Sequence, residues 1–435
     1  MRLSRRRALL GCAASLTLAG CSESATDDER SPSDGTATPT DDATGTTPGP
    51  TDSDVASLPS PVDSDREHVD WELPLPDDRS SLAVGGDRAY VGLGQTNVLE
   101  GGDDGDGAVL AVGPDGTVPW RYDTDRPVER VVAAGDTVYV VTGRRATTLL
   151  RDAAVHAVDV TDGTRRWRRT ETPPGDFLFV LGVADGTLVV GYSNDNLTAE
   201  GHSTVGLSTA NGRQRWSVPT GDVTSGTVDG AAFVADPGHV RAIDPASGDE
   251  QWERAASTPL LHGLTPDAAV TGDSTIRALD RSDGEARWTY DDAEGLDGAT
   301  VLDGRVYTDG GTVVALAGDG TERWRYAAGG TVRVTGADAV FGIDRATLPS
   351  DTSDLFAVDE GEQRWRREVP TDRFHLVGIR DDCPLGRSEG TLYVLDPATG
   401  DVRTMVELGA AVSGPSSVGG RLVAADGSRV YGLAL

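Results

Sequence analysis

Short apolar runs cut by polar pairs fill the chain from about residue 79 onward, and no stretch repeats its apolar residues at a helical period. In the stretch ending at Trp324 the runs are ATVLDG, RVYTDG and TVVALAGDG, and TERWRYA follows. Val, Leu, Tyr and Ala in such runs, broken by Asp-Gly, predict short antiparallel strands joined by tight turns. The strand that carries the tryptophan is expected to be the outermost of the four.

Tryptophan marks the period. It stands at 71, 120, 167, 216, 252, 288, 324 and 365, with successive gaps of 49, 47, 49, 36, 36, 36 and 41. Four strands in a unit of that length predict a β-propeller blade, and one blade cannot bury both faces alone. The third runs AVLAV, AVHAVD, TVGLS, VRAID, IRALD, VVALA, LFAVD, LYVLD and VYGLAL count nine units. The unit around 382–396 is weak, because Thr404 stands where the others have Trp, so eight blades are the alternative. The last unit has no Trp strand, and the first Trp segment, HVDWELPLP, has no blade before it. The expected fold is all-β: a propeller of four-stranded antiparallel blades, closed by docking 68–75 as the outer strand of the last blade, which removes an exposed edge.

The turns before the tryptophans repeat as well. AIDPASGDEQW, ALDRSDGEARW and AVDVTDGTRRW share Asp, Gly and Trp at nearly fixed offsets. Asp can bond turn amides through its side chain, and Gly takes the left-handed position. The spacing resembles the tryptophan docking motif of the pyrroloquinoline-quinone (PQQ) repeat family. Its matches are Gly116/Trp120, Gly163/Trp167, Gly212/Trp216, Gly248/Trp252, Gly284/Trp288, Gly320/Trp324 and Gly361/Trp365, with Gly400/Thr404 departing and Trp71 on the closing strand. The resemblance covers about 68–435. It implies that each indole packs between its own motif's Gly and a small residue of a neighbouring blade.

The quinone dehydrogenases of that family resemble each other in an adjacent cysteine pair and a Ca²⁺ held by Glu, Asn and Asp. They also share a catalytic Asp and a Trp under the quinone. This chain has three cysteines, Cys12, Cys21 and Cys383, none adjacent, and its tryptophans all belong to the docking register or the closing strand. No cofactor is expected, PQQ included. The acidic run GGDDGDG could hold Ca²⁺ through Asp103, Asp104 and Asp106 but lacks a distal bidentate Glu; a solvated loop is the other reading. The six histidines at 68, 156, 202, 239, 262 and 375 form no metal-spaced pair and are expected in turns or at the surface. Cys383, with Arg380 and Arg387 near it in sequence, is expected to be buried and inert.

Charge narrows the partners. Asp plus Glu number 70 against 39 Lys plus Arg, every one of them Arg, for a net charge of −31. Such a surface repels phosphates, so nucleic acid is not an expected partner. Diffuse acid without lysine resembles proteins of high-salt organisms, in which ions screen carboxylate repulsion to a few ångströms. The N-terminus reads MRLSRRRALLGCAASLTLAGC: a basic cluster, a short apolar stretch and LAGC. SRRRAL resembles the twin-arginine signal for export of folded proteins, and LAGC resembles a lipobox with Cys21 lipidated. The expected organisation is a signal peptide over 1–21, a disordered Ser/Thr/Asp/Pro-rich tether over 22–66 and the propeller over 67–435. The protein would sit on the extracellular face of the cytoplasmic membrane, held by lipid on Cys21.

Connections between second and third strands differ in length. ADPGHV, TGDSTI and TDGGTV are terse, whereas 94–107, 143–152, 192–203 and 344–354 carry insertions. Candidate partner-binding residues there are Gln95, Asn97, Asp103, Asp104, Asp106, Arg144, Arg145, Asn194, Asn196, His202, Asp344 and Arg345. The expected function is a monomeric, non-catalytic surface scaffold that takes a protein or glycan partner on these loops. In repeat type and anchor it is similar to the propeller lipoprotein of the bacterial outer-membrane assembly machine. The alternative is an extracellular quinoprotein-like dehydrogenase.

Overall fold

The computed structural model describes residues 62–63, 66–76, 79–94, 106–146, 149–170, 177–193, 202–221, 223, 225–256, 260–272, 275–291, 296–327, 330–344, 352–369, 373–409 and 413–435. Residues 1–61, with Cys21 and the stretches read as signal peptide and most of the tether, lie outside them. Among the described residues there is no helix, and the strands form nine antiparallel sheets, the blades of a β-propeller. The eight-blade alternative is set aside.

In chain order blades 1 to 8 span 79–124, 128–170, 177–219, 225–255, 261–290, 296–326, 331–369 and 375–407. Blade 9 takes three strands from 413–433 and its fourth, Val69–Pro74, from the other end of the chain, as the pattern predicts. There Trp71 pairs with Gly432 and Leu73 with Val430. A two-residue strand, Val62–Asp63, adds a fifth strand beside Val69–Pro74, inside the stretch read as tether.

Burial differs between inner and outer strands. Second and third strands are covered on both faces: Gly107–Val112 and Ala231–Asp236 are buried at every position. Fourth strands are wet except where the indole points in, as in Gln214–Pro219 and Glu250–Ala255. By contacts the described chain falls into two compact units. One, 406–435 with residues up to 223 and 227–255, holds blade 9 and blades 1 to 4; the other, 256–405 with 224–226, holds blades 5 to 8. Within each unit the apolar core is a series of clusters, each shared by two successive blades. Tyr90, Val109 and Trp120 of blade 1 meet Val128, Val140 and Val158 of blade 2. Phe341 and Trp365 of blade 7 meet Leu376 and Leu395 of blade 8.

Candidate functional site

The repeated motif is the joint between blades. Asp244 Oδ1 accepts from the amides of Ala246 (2.7 Å) and Ser247 (3.0 Å), and Gly248 N donates to Asp244 O (2.8 Å). Gly116, Gly163, Gly212, Gly248, Gly284, Gly320, Gly361 and Gly400 all take φ between +68° and +90°, a region that a Cβ penalises. Close approach of an indole adds a second reason for glycine. A Cβ on Gly163 would stand 2.8 Å from Trp120, and one on Gly400 would stand 2.6 Å from Trp365.

The family resemblance implied that an indole lies between its own Gly and a neighbour's small residue; the structure reverses the partners. The small residue is the tryptophan's own cross-strand partner: Ala111 for Trp120, Gly206 for Trp216 and Gly432 for Trp71. The glycine belongs to the following blade, as with Trp120 on Gly163, Trp167 on Gly212, Trp216 on Gly248 and Trp288 on Gly320. Trp252 is corrected in the same way. The motif pairs it with Gly248, but Gly248 lies against Trp216. Trp252 is buried over Ala242, its cross-strand partner, with the Phe233 ring tilted against it at 6.1 Å. The reason is geometric: a fourth-strand side chain lies over its third-strand partner, while its own turn glycine sits at the hairpin end.

Two features of this joint were missed in the sequence. The indole N–H of Trp71, Trp120, Trp167, Trp216, Trp288 and Trp365 donates to a turn carbonyl of the following blade (Pro114, Val160, Thr209, Pro245, Gly318 and Pro397) at 2.6–3.0 Å. In blades 2, 5 and 7 the residue before the tryptophan is a β-bulge, which aims its side chain back at the turn. Arg166, Arg287 and Arg364 thereby reach Asp159 (2.6 Å), Asp280 (2.8 Å) and Asp359 (2.8 Å). The recurring Arg-Trp dipeptide was the available signal. In blade 8 Arg403 holds Asp396 in the same way (2.7 Å) although Thr404 replaces the indole. Hydrogen bonds from Ser282, then Arg287, hold Asp280 down to about 2, so the turn carboxylate stays ionised.

Of the candidate loop residues, Gln95, Asn97, Asp103, Asp104, Asn194, Asn196 and Arg345 lie outside the described residues. Asp106 is exposed, directly before Gly107–Val112. Asp344 ends a strand and its carboxylate is bound to Arg366 (2.5 Å), which also holds Asp354 (2.7 Å); the ion pairs tie the two ends of the 345–351 connection. His202 is buried rather than in a surface loop. Arg144 and Arg145 are not in a loop either: they lie on Thr137–Ala146, which pairs with Leu149–Asp159 to the end of a long hairpin. The insertion at 143–152 lengthens a ladder rather than a loop.

The histidines correct a further expectation. His156 is 1% exposed, between Tyr122 Oη (2.7 Å from Nδ1) and Thr142 Oγ1 (3.1 Å from Nε2). Burial, reinforced by Arg168, lowers it to about 3, so the ring is neutral. As a neutral imidazole it accepts from one hydroxyl and donates to the other, which is why a polar ring is tolerated in this core. Cys383 is buried as expected; Arg403 Nη1 lies 3.0 Å from its Sγ, and Arg380 is its cross-strand partner.

Every tryptophan lies on a fourth strand, six of them with the indole N–H bound to a turn, and Cys383 stands on the second strand of blade 8 without a sulfur neighbour in sequence. Among the described residues no three His, Cys, Asp or Glu side chains are grouped to hold a metal.

The fold and its joints define a tryptophan-docked repeat propeller. The chain belongs to the family described as outer membrane protein assembly factor BamB, which it matches over residues 56–237 and 236–381. No curated protein matches it in sequence. Similar solved structures include BamB from Moraxella catarrhalis, at 20% identity and TM-score 0.49, covering 70% of this chain and 93% of that one. A europium-containing methanol dehydrogenase gives 11% and 0.50, covering 84% and 93%. The quinohemoprotein alcohol dehydrogenase of Comamonas testosteroni gives 14% and 0.50, covering 84% and 76%. At such identities the likeness is one of fold.

Proposed function

We propose that the protein is a non-catalytic, lipid-anchored scaffold at the cell surface that binds a protein or glycan partner through its long connections between second and third strands. The observation that carries this reading is the contrast between joints and connections. The joints repeat their hydrogen bonds from blade to blade, whereas insertions are confined to blades 1, 2, 3 and 7. Blade 4 turns tersely from Asp236 to His239 within its ladder. A rigid repeating frame with a few enlarged connections is the usual ground for binding. Membership of the BamB family fits a scaffold. Lipidation of Cys21 and export by the twin-arginine route belong to the same proposal and rest on the leader sequence.

Deleting 95–105 or 194–201 should leave the thermal midpoint nearly unchanged, because loop length costs little stability. Each deletion should weaken partner capture from a cell-envelope extract at high salt. Capture that survives both deletions removes these connections from the binding surface. The dehydrogenase reading makes the opposite forecast: Ca²⁺-dependent dye reduction after incubation with the quinone, which the scaffold should not show.

A further inference from the structure

The outer strands of the blades differ in charge. Arg165–Thr170 of blade 2 reads RRWRRT and carries four arginines and no acid, whereas the outer strands of the other eight blades run from −2 to +1. In a chain of net −31 it is a basic edge on an acidic body. Among the described residues it has a strand on one side only, so its other side is an open row of backbone donors and acceptors.

The arginines reach along and to both sides of this strand, and none of the four is buried. Arg166 turns back to Asp159 (2.6 Å) and Asp136 (2.8 Å). Arg168 reaches Asp125 of blade 1 (3.0 Å), and Arg165 lies beside the Tyr122 hydroxyl of the same blade. Arg169 lies toward blade 3, where it donates to Gln214 Oε1 (3.1 Å) and Gly212 O (3.5 Å). Surface pairs of this kind are weak, and a guanidinium has five N–H donors, so each can take a further carboxylate.

Blade 9 shows that an outer edge of this fold accepts one more strand. Its outer strand, Val69–Pro74, is paired on the outer side by an antiparallel piece of the same chain, Val62–Asp63. There an acidic residue, Asp63, stands opposite the docking tryptophan Trp71. That edge is itself acidic, with Asp70 and Glu72, so the pairing forms without help from charge. A strand laid on blade 2 in the same register stands opposite Trp167, with arginine on both sides of it in sequence. Opposite charges across such a pair are stabilising.

We propose that the outer edge of blade 2 is a docking site for an extended acidic segment of a partner protein, which adds a fifth strand to the blade. Main-chain hydrogen bonds along the open edge supply affinity, and carboxylates on the arginines select the segment. This surface goes beyond the long connections assigned above and does not depend on them.

The test uses the full chain and a fluorescein-labelled peptide that alternates Glu with Val. Fluorescence anisotropy is read at the lowest KCl concentration at which the chain keeps its thermal midpoint. The peptide should bind at least about tenfold more tightly than the same peptide with Gln for Glu, at about threefold for each exposed ion pair. A peptide of equal charge with Pro for Val cannot pair as a strand, and it should bind at least about tenfold more weakly. Arg165→Gln/Arg169→Gln should weaken binding of the Glu-Val peptide about tenfold, and Arg169→Gln alone about threefold, which guards against misfolding of the double variant. Arg254→Gln/Arg323→Gln, an equal loss of charge on the outer strands of blades 4 and 6, should leave binding unchanged. Failure of the full chain to bind, equal binding of the Gln or Pro peptide, or equal weakening by the two double variants overturns the proposal. Self-association of the chain that the peptide reverses would place another copy's acidic tether on this edge, and likewise overturns it.

Discussion

At the scale of single residues, the indole of the repeat does two jobs at once. Trp216 covers Gly206 of its own blade and donates 2.8 Å to Pro245 O of the next, against Gly248. Trp216→Ala should cost about 3–5 kcal/mol, as for other buried aromatics. Trp216→Phe should cost less, about 1–2 kcal/mol, most of it from leaving the Pro245 carbonyl short of a donor. Urea unfolding of the two variants measures both, and a Phe variant as weak as the Ala variant would argue against the hydrogen bond. His156 gives a pH dependence with a definite sign. Its folded value is about 3 and its unfolded value 6.5, so the unfolded chain takes the proton first. Its contribution is fully present above pH 6.5 and declines as pH falls toward 3. Between pH 6.5 and 5 the loss is roughly 2 kcal/mol, from about 1.4 kcal/mol per unit. His156→Gln should remove that slope; urea midpoints at pH 7 and 5 that shift equally in both chains would show that the slope comes from elsewhere.

At the scale of elements, the blade is a strand order with a built-in lock. The bulge before Trp167, Trp288 and Trp365 returns Arg166, Arg287 and Arg364 to the carboxylate that opens the turn, so the hairpin between third and fourth strands closes on itself. These ion pairs are half-exposed and individually weak. Their service is to aim the following indole at the next blade. Blade 9 draws its third and fourth strands from opposite ends of the chain, so no turn links them. Trp spacing made the blades legible, as did the Asp-Gly turns. The long blade 2 hairpin was not, because GRRATTLLRD has the composition of a loop and its pairing depends on a bulge at 152–153, opposite Gly143, that sequence does not announce.

At the scale of the whole molecule, blade 9 depends on residues far apart in the chain. Leu73 is fully buried and Trp71 nearly so, and both pack with Val423, Ala425 and Val430. A chain lacking residues 1–61 should keep its thermal midpoint within a few degrees. A chain lacking residues 1–76 should lose a large share of its stability and aggregate, because Arg429–Leu433 becomes an unpaired apolar edge. Scanning calorimetry with light scattering separates the outcomes, and equal behaviour of the two truncations would refute the role given to the 69–74 strand.

The sequence by itself determined the repeat: nine third strands, the turns that end them, and a closing strand at the opposite end of the chain from its partner. It could do so because strand burial and turn conformation are local demands on residue type. Only the tertiary structure decided which blade supplies the glycine under each indole, so that Gly248 serves Trp216 and not Trp252. It also decided that Arg403, from another strand, reaches Cys383, and that His156 is a neutral core residue. Those are relations between strands that sequence distance does not order. They are fixed by which side chains the sheets bring face to face.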